Sequence, residues 1–154
     1  MSMRRMTSAF RNQRGAAAIE FALVFPLFFV LFYAIVSYGL VMTLQQSLSE
    51  ASKEGARAAI KVDRTIAGWE TTARSEARQA AAQVLAWLPA AQKTAIVGTD
   101  NSNINVEFPT ADTIRITLTY TYNSAPLLPV LTFPVIGKIP NLPASLIVTA
   151  DGLL

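Results

Sequence analysis

From Phe21 to Met42 the chain runs FALVFPLFFVLFYAIVSYGLVM, twenty-two residues without a single charge. As a helix rising about 1.5 Å per residue, this run is roughly 33 Å long, enough to cross a hydrocarbon core of ~30 Å. Fourteen of its residues are Leu, Ile, Val or Phe. Each favours insertion by about 0.3–0.6 kcal/mol, so the whole run gains on the order of 4–8 kcal/mol as an upper bound. Pro26 would break a soluble helix but is tolerated near the end of a membrane helix. Burial in a soluble core is the alternative, yet the rest of a 154-residue chain offers too little to surround such a rod. A single membrane-spanning anchor is expected.

The charges give it a direction. Arg4, Arg5, Arg11 and Arg14 precede the span with no acid among them, whereas Glu50, Lys53, Glu54 and Arg57 mix signs after it. Positive charge stays on the cytoplasmic side, so the N-terminus is expected in the cytoplasm and the C-terminal part on the far side of the membrane. A cleaved secretory signal competes with this reading, but its apolar region is about 7–15 residues long and ends at a small-x-small site. The run here is longer, and Ser37-Tyr38-Gly39 is a poor substitute for such a site.

The net charge of +3 belongs to that N-terminal tail, since from Ala16 onward nine basic residues face ten acidic ones. A basic nucleic-acid-binding face therefore loses its support. With no Cys and no His, disulfides, Cys/His zinc sites and imidazole general bases are excluded. At 52% hydrophobic and 15% charged residues, the chain is not a disordered one.

Glu20 breaks the pattern, lying between Ala16-Ala17-Ala18-Ile19 and Phe21. A charge at the centre of a membrane costs about 2.5–3.5 kcal/mol, and less near the interface. Two readings stay open: Glu20 marks the edge of the span, or it pairs with a cation inside it.

Arg14-Gly15, the Ala16–Ile19 run and Glu20-Phe21 ahead of a long apolar helix resemble a class III prepilin signal. Beyond the span, Ala51-Ser52-Lys53-Glu54-Gly55-Ala56-Arg57-Ala58-Ala59 is similar to the A-x-x-E-G-A-R-x-A segment of TadE-like proteins, minor pilins or pseudopilins of tight-adherence (Tad/Flp) pilus systems. Pro26 in its F-A-L-V-x-P context fits the same pattern. The resemblance covers roughly residues 14–60. It implies that Arg14, Gly15, Ala16, Glu20 and Phe21 form a processing site, with a prepilin peptidase removing a basic leader, residues 1–15. It further implies that the Glu20 carboxylate meets the new α-ammonium of Ala16 on a neighbouring subunit. Implied partners are membrane lipid, the peptidase, other pilin and pseudopilin subunits and the Tad inner-membrane assembly platform. The implied location is the bacterial inner membrane, with a periplasmic C-terminal domain that enters an extracellular pilus in some readings.

Glu54 and Arg57 are three apart and can form a surface ion pair worth ~0.3–0.5 kcal/mol. Gly55 costs about 1 kcal/mol against Ala in a helix, and beside Ala51, Ala58 and Ala59 it permits close approach of another helix. Together with Ala16 and Glu20, these three residues are the candidate assembly contacts.

The apolar positions Leu44, Leu48, Ala51, Gly55, Ala58, Ala59 and Val62 continue the helix past the bilayer, giving a membrane and stalk rod over residues 16–62. Asp63-Arg64-Thr65 marks a break and a candidate cap. A second amphipathic helix is expected from Trp69 to Leu88, its stripe formed by Ala73, Ala77, Ala80, Ala81, Val84, Leu85 and Leu88. Then the period changes to two. Ile114, Ile116, Leu118, Tyr120 and Tyr122 alternate with polar residues as the clearest strand, with 103–108 as its antiparallel partner turning at 109–112. Ala95-Ile96-Val97 and Leu146-Ile147-Val148 read as two short extra strands. Residues 63–154 are thus an exported α+β domain, a small antiparallel sheet on helices in a pilin-like plan.

Five of the eight prolines fall between Asn123 and Ala144, interleaved with large apolar residues. Either these complete the small domain's core, the preferred reading, or they form an exposed patch for other subunits or the membrane surface.

The acidic residues Asp63, Glu70, Glu76, Asp100, Glu107 and Asp112 form no spaced metal cluster or acid/base pair, and Asp100-Asn101-Ser102-Asn103 reads as a solvated turn rather than a calcium loop. No catalytic residue, metal, cofactor or small-molecule substrate is expected. The reading is a non-enzymatic minor pilin of TadE-like type; the alternative is an uncleaved single-pass protein with an exported binding domain.

Overall fold

The computed structural model describes residues 10–154, with side chains from Gly15 onward. The first nine residues of the expected leader, and the side chain of Arg14, lie outside the described residues.

One helix, α1, spans Phe10–Ile60 without interruption. Its 51 residues make a rod of roughly 77 Å. Pro26 lies inside it and the helix continues through, losing one backbone donor where no tertiary contact depends on it. Residues 15–36 are almost wholly uncovered, whereas from Ser37 onward one face is buried: Val41, Leu44, Leu48, Ala51, Ala56 and Ala59. The 3-to-4 spacing seen in the sequence is the spacing of this buried stripe.

After a turn at 61–68, α2 covers Trp69–Val84 and tightens into a 3-10 turn at Leu85–Trp87. The alanines 73, 77 and 81 are fully buried against α1. Asp63 caps no helix: its Oδ1 accepts from the amide and hydroxyl of Thr65 at 2.9 and 2.7 Å, closing a local turn that holds its carboxyl below the ordinary range. The residue before α2 is Gly68, at φ 79°, a conformation that most side chains resist.

Residues 90–97 correct an expectation. Ala95-Ile96-Val97, read as strand, ends a third helix, α3 (Ala90–Val97), started by Pro89. A short apolar run has no period of its own to separate helix from strand, and the alanines ahead of it decide for helix.

Strands β1 (Asn105–Thr110), β2 (Thr113–Tyr120) and β5 (Leu146–Leu153) form an antiparallel sheet in the order β1-β2-β5. β2 is central, and Ile114, Ile116, Leu118 and Tyr120 all point into the core as the alternation requires. Burying each such side chain contributes about 1.5–3 kcal/mol. The β1–β2 register shifts between Glu107 and Thr110, where Pro109 has no amide for the ladder. On the outer face Arg115 donates to both carboxylate oxygens of Asp151 at 2.8 and 2.9 Å, which holds that carboxyl below its ordinary range. The edge of β1 is closed from α2: Arg74 donates to the carbonyl of Val106, and Arg78 to that of Ile104 at 3.1 Å.

The proline-rich stretch carries a small hairpin, β3 (Leu131–Phe133) and β4 (Gly137–Ile139). Both readings of this stretch are partly realised. Ala125, Leu127, Val130 and Leu142 pack against the core, while Val135 and Ile136 at the hairpin tip are 96% and 58% exposed.

Candidate functional site

The residues of the expected processing site lie at the free end of α1. Gly15 is helical, and a Cβ placed on it would meet nothing within 4 Å. Ala16 and Glu20 follow four apart, hence on one face of the helix, and both are exposed. Phe21 is also exposed and begins an aromatic ladder along the helix: Phe21, Phe25, Phe29 and Tyr33 follow one another at 5.3, 6.3 and 6.0 Å between centroids. No part of the most apolar eighteen-residue window of this helix is buried, and it is long and apolar enough to cross a membrane.

The Glu54–Gly55–Arg57 group divides. Glu54 and Arg57 form the expected surface pair at 3.3 Å. Gly55 faces the other way, into its own domain. A Cβ there would lie 2.9 Å from the carbonyl oxygen of Ala77 and 2.9 Å from Cδ1 of Ile116. The close helix approach that Gly55 permits is therefore made within the chain, by α2 and the central strand, so Gly55 is not free to meet a neighbouring subunit. Gly152 does the same for β5, where a Cβ would crowd Ile60 and Ile114 at 3.0 and 3.2 Å.

Residues 15–57, nearly all of α1 from Gly15 on, match the family model described as TadE-like protein. This segment is TadE-like. The TadE-like stretch takes in Gly15, Ala16, Glu20, Phe21 and the Glu54-Gly55-Ala56-Arg57 group, and leaves α2, α3 and all five strands outside. It suggests a protein associated with tight-adherence pili, and among the described residues this is the one helix with the length and composition of a membrane anchor. Comparison with curated proteins and with solved structures gave no match.

Sequence reasoning missed how the proline-rich stretch is fastened. All four tyrosines of the chain bind it. From α1, Tyr33 donates to the carbonyl of Pro129, and the Tyr38 hydroxyl accepts from the amide of Asn141 at 3.2 Å. From the β2 end, Tyr120 donates to the carbonyl of Ala125; the Tyr122 hydroxyl donates to the carbonyl of Leu128 at 3.1 Å and accepts from its amide at 3.2 Å. Gln92 of α3 adds a bond to the carbonyl of Pro126 at 3.0 Å. Burial pushes the Tyr120 hydroxyl up to about 12. A signal for the α1 pair was present: tyrosines late in an apolar run match the aromatic belt at a membrane–water interface.

Proposed function

We propose that this chain is a minor pilin or pseudopilin of a Tad adhesion pilus, anchored in the bacterial inner membrane and needed for pilus assembly or structure. Its N-terminus is cytoplasmic and its C-terminal domain periplasmic, and a prepilin peptidase cuts after Gly15. The observation that carries this reading is a TadE-like helix, bare along a membrane's thickness and clothed by a small α+β domain only above it.

Where the domain begins bears on Glu20. The C-terminal domain reaches down α1 to Tyr33, so lipid leaves the helix at about Tyr33–Val36 rather than at Met42. Counting back the ~20 residues of a span brings its other end to about Ala16–Ala17, with Glu20 several ångströms inside. A carboxylate there needs a partner, and the α-ammonium that cleavage creates on Ala16 of a neighbouring subunit supplies one; in that low dielectric the attraction offsets much of the cost of both charges.

The protein acts by assembly, with other pilin subunits and the inner-membrane platform as partners, and neither catalyses a reaction nor holds a cofactor. Mass spectrometry of the N-terminus is the test: a mature chain beginning with Ala16 is expected. A full-length chain in cells with active peptidase supports the second reading, an uncleaved anchor. Glu20→Ala should lower incorporation into sheared surface fibres by about tenfold or more, the scale of a lost charge pair. Wild-type incorporation of Glu20→Ala would refute the pairing.

A further inference from the structure

We propose that the β3–β4 hairpin is a second lipid contact, seated in the headgroup region of the bilayer beside α1. This rests on α1 being a membrane helix. The hairpin is tied at both roots to the lower part of the domain: Pro129, just before β3, is bound by Tyr33, and Asn141, just after β4, by Tyr38. These tyrosines are five residues apart, about 7.5 Å along the axis, and both lie inside the uncharged run of α1. Val135 and Ile136 are six and five residues from those roots, at most roughly 17–20 Å of extended strand, and β4 packs against α1, so the tip stays within reach of the lipid boundary.

Its chemistry suits that place. Val135 and Ile136 are exposed at the tip, apolar like the bare residues 19–36 of α1. Between Ile116 and Ala150 the only charged residue is Lys138, on β4 and exposed, and no acid opposes its approach to anionic headgroups. Pro134, beside the tip, presents no amide donor that lipid would leave unpaired. A protein partner would find an apolar tip with one cation and no anion; a bilayer surface with anionic headgroups complements both features.

Because the chain has no cysteine, a single introduced one is a unique label site. Full-length Val135→Cys, Ile66→Cys and Leu27→Cys proteins, each carrying an environment-sensitive fluorophore, are reconstituted into phosphatidylethanolamine–phosphatidylglycerol bilayers with nitroxide lipids. All three positions are exposed, so folding is not at stake. Ile66 lies beyond the far end of α1, roughly 35 Å or more from the lipid exit. The Val135 label should be blue-shifted and quenched several-fold more than the Ile66 label by headgroup nitroxides, and the Leu27 label by deep acyl nitroxides. A Val135 label no more quenched than Ile66, with Leu27 quenched, overturns the hairpin contact and leaves the membrane helix standing. If Leu27 also escapes quenching, the membrane reading itself has failed. A blue shift without nitroxide quenching that grows with protein density in the bilayer overturns the proposal in favour of a second copy covering the tip.

Discussion

Gly55 stands where two elements leave no room for a side chain. Replacing it with Val drives methyl groups into a backbone carbonyl of α2 and the tip of Ile116, and neither can retreat without moving its element. Gly55→Val should destabilise the domain by about 1–3 kcal/mol in denaturant titrations, the usual cost of overpacking. Gly39→Ala is the control, since nothing lies within 4 Å of that position and no loss is expected. Tyr120 gives a pH signature. Its hydroxyl ionises at about 12 in the folded chain against 10.0 unfolded, so between these values the unfolded chain has released a proton that the folded one retains. Stability therefore falls as pH rises from 10.0 towards 12, and is unaffected by this group below that window. Thermal melts of wild type and Tyr120→Phe should differ in pH slope across the window, with the tyrosine-specific decline absent from the variant.

At the scale of elements, the proline-rich stretch differs from everything around it. α1, α2 and the sheet satisfy most of their backbone groups internally, whereas four prolines leave residues 125–141 with one hairpin of three-residue strands and few other amides to pair. Side chains from α1, β2 and α3 make good the deficit. Removing the two hydroxyls on the membrane side, Tyr33→Phe with Tyr38→Phe, should loosen this stretch at roughly 0.5–1.5 kcal/mol per bond while the sheet stays folded. Hydrogen exchange in residues 127–142 should accelerate, with β2 amides unchanged. Accelerated exchange in β2 as well would mean that the stretch is integral to the core rather than strapped onto it.

For the whole molecule, α1 serves two environments. From Gly15 to Phe32 it has almost no protein cover, and among the described residues the buried core begins at Ser37. A chain started at Tyr33 should therefore fold in water with a melting temperature close to that of the full protein in detergent; an unfolded fragment would show that the bare half of the helix stabilises the domain. The membrane run, the rod beyond it, the alanine stripe of α2 and the alternation of β2 were all legible, because each is a local periodicity that burial preserves. The glutamate, the glycines and the Glu54–Arg57 pair could be found the same way. Which helix Gly55 admits could not be read, since spacing shows that a face is small without showing what meets it. Nor could α3, too short for its period to outvote an Ile-Val pair, or the extension of β5 through Asp151 to Leu153, whose polar residues pair across the sheet with Arg115 and its neighbours. The sequence alone determined the anchor, its likeness to TadE proteins and the order of helix before sheet, because hydropathy and spacing act along the chain. Only the tertiary structure decided that Gly55 turns inward and that Tyr33 and Tyr38 of α1 hold the proline-rich stretch, because those contacts join residues as many as 103 positions apart and leave no pattern in either partner's neighbourhood.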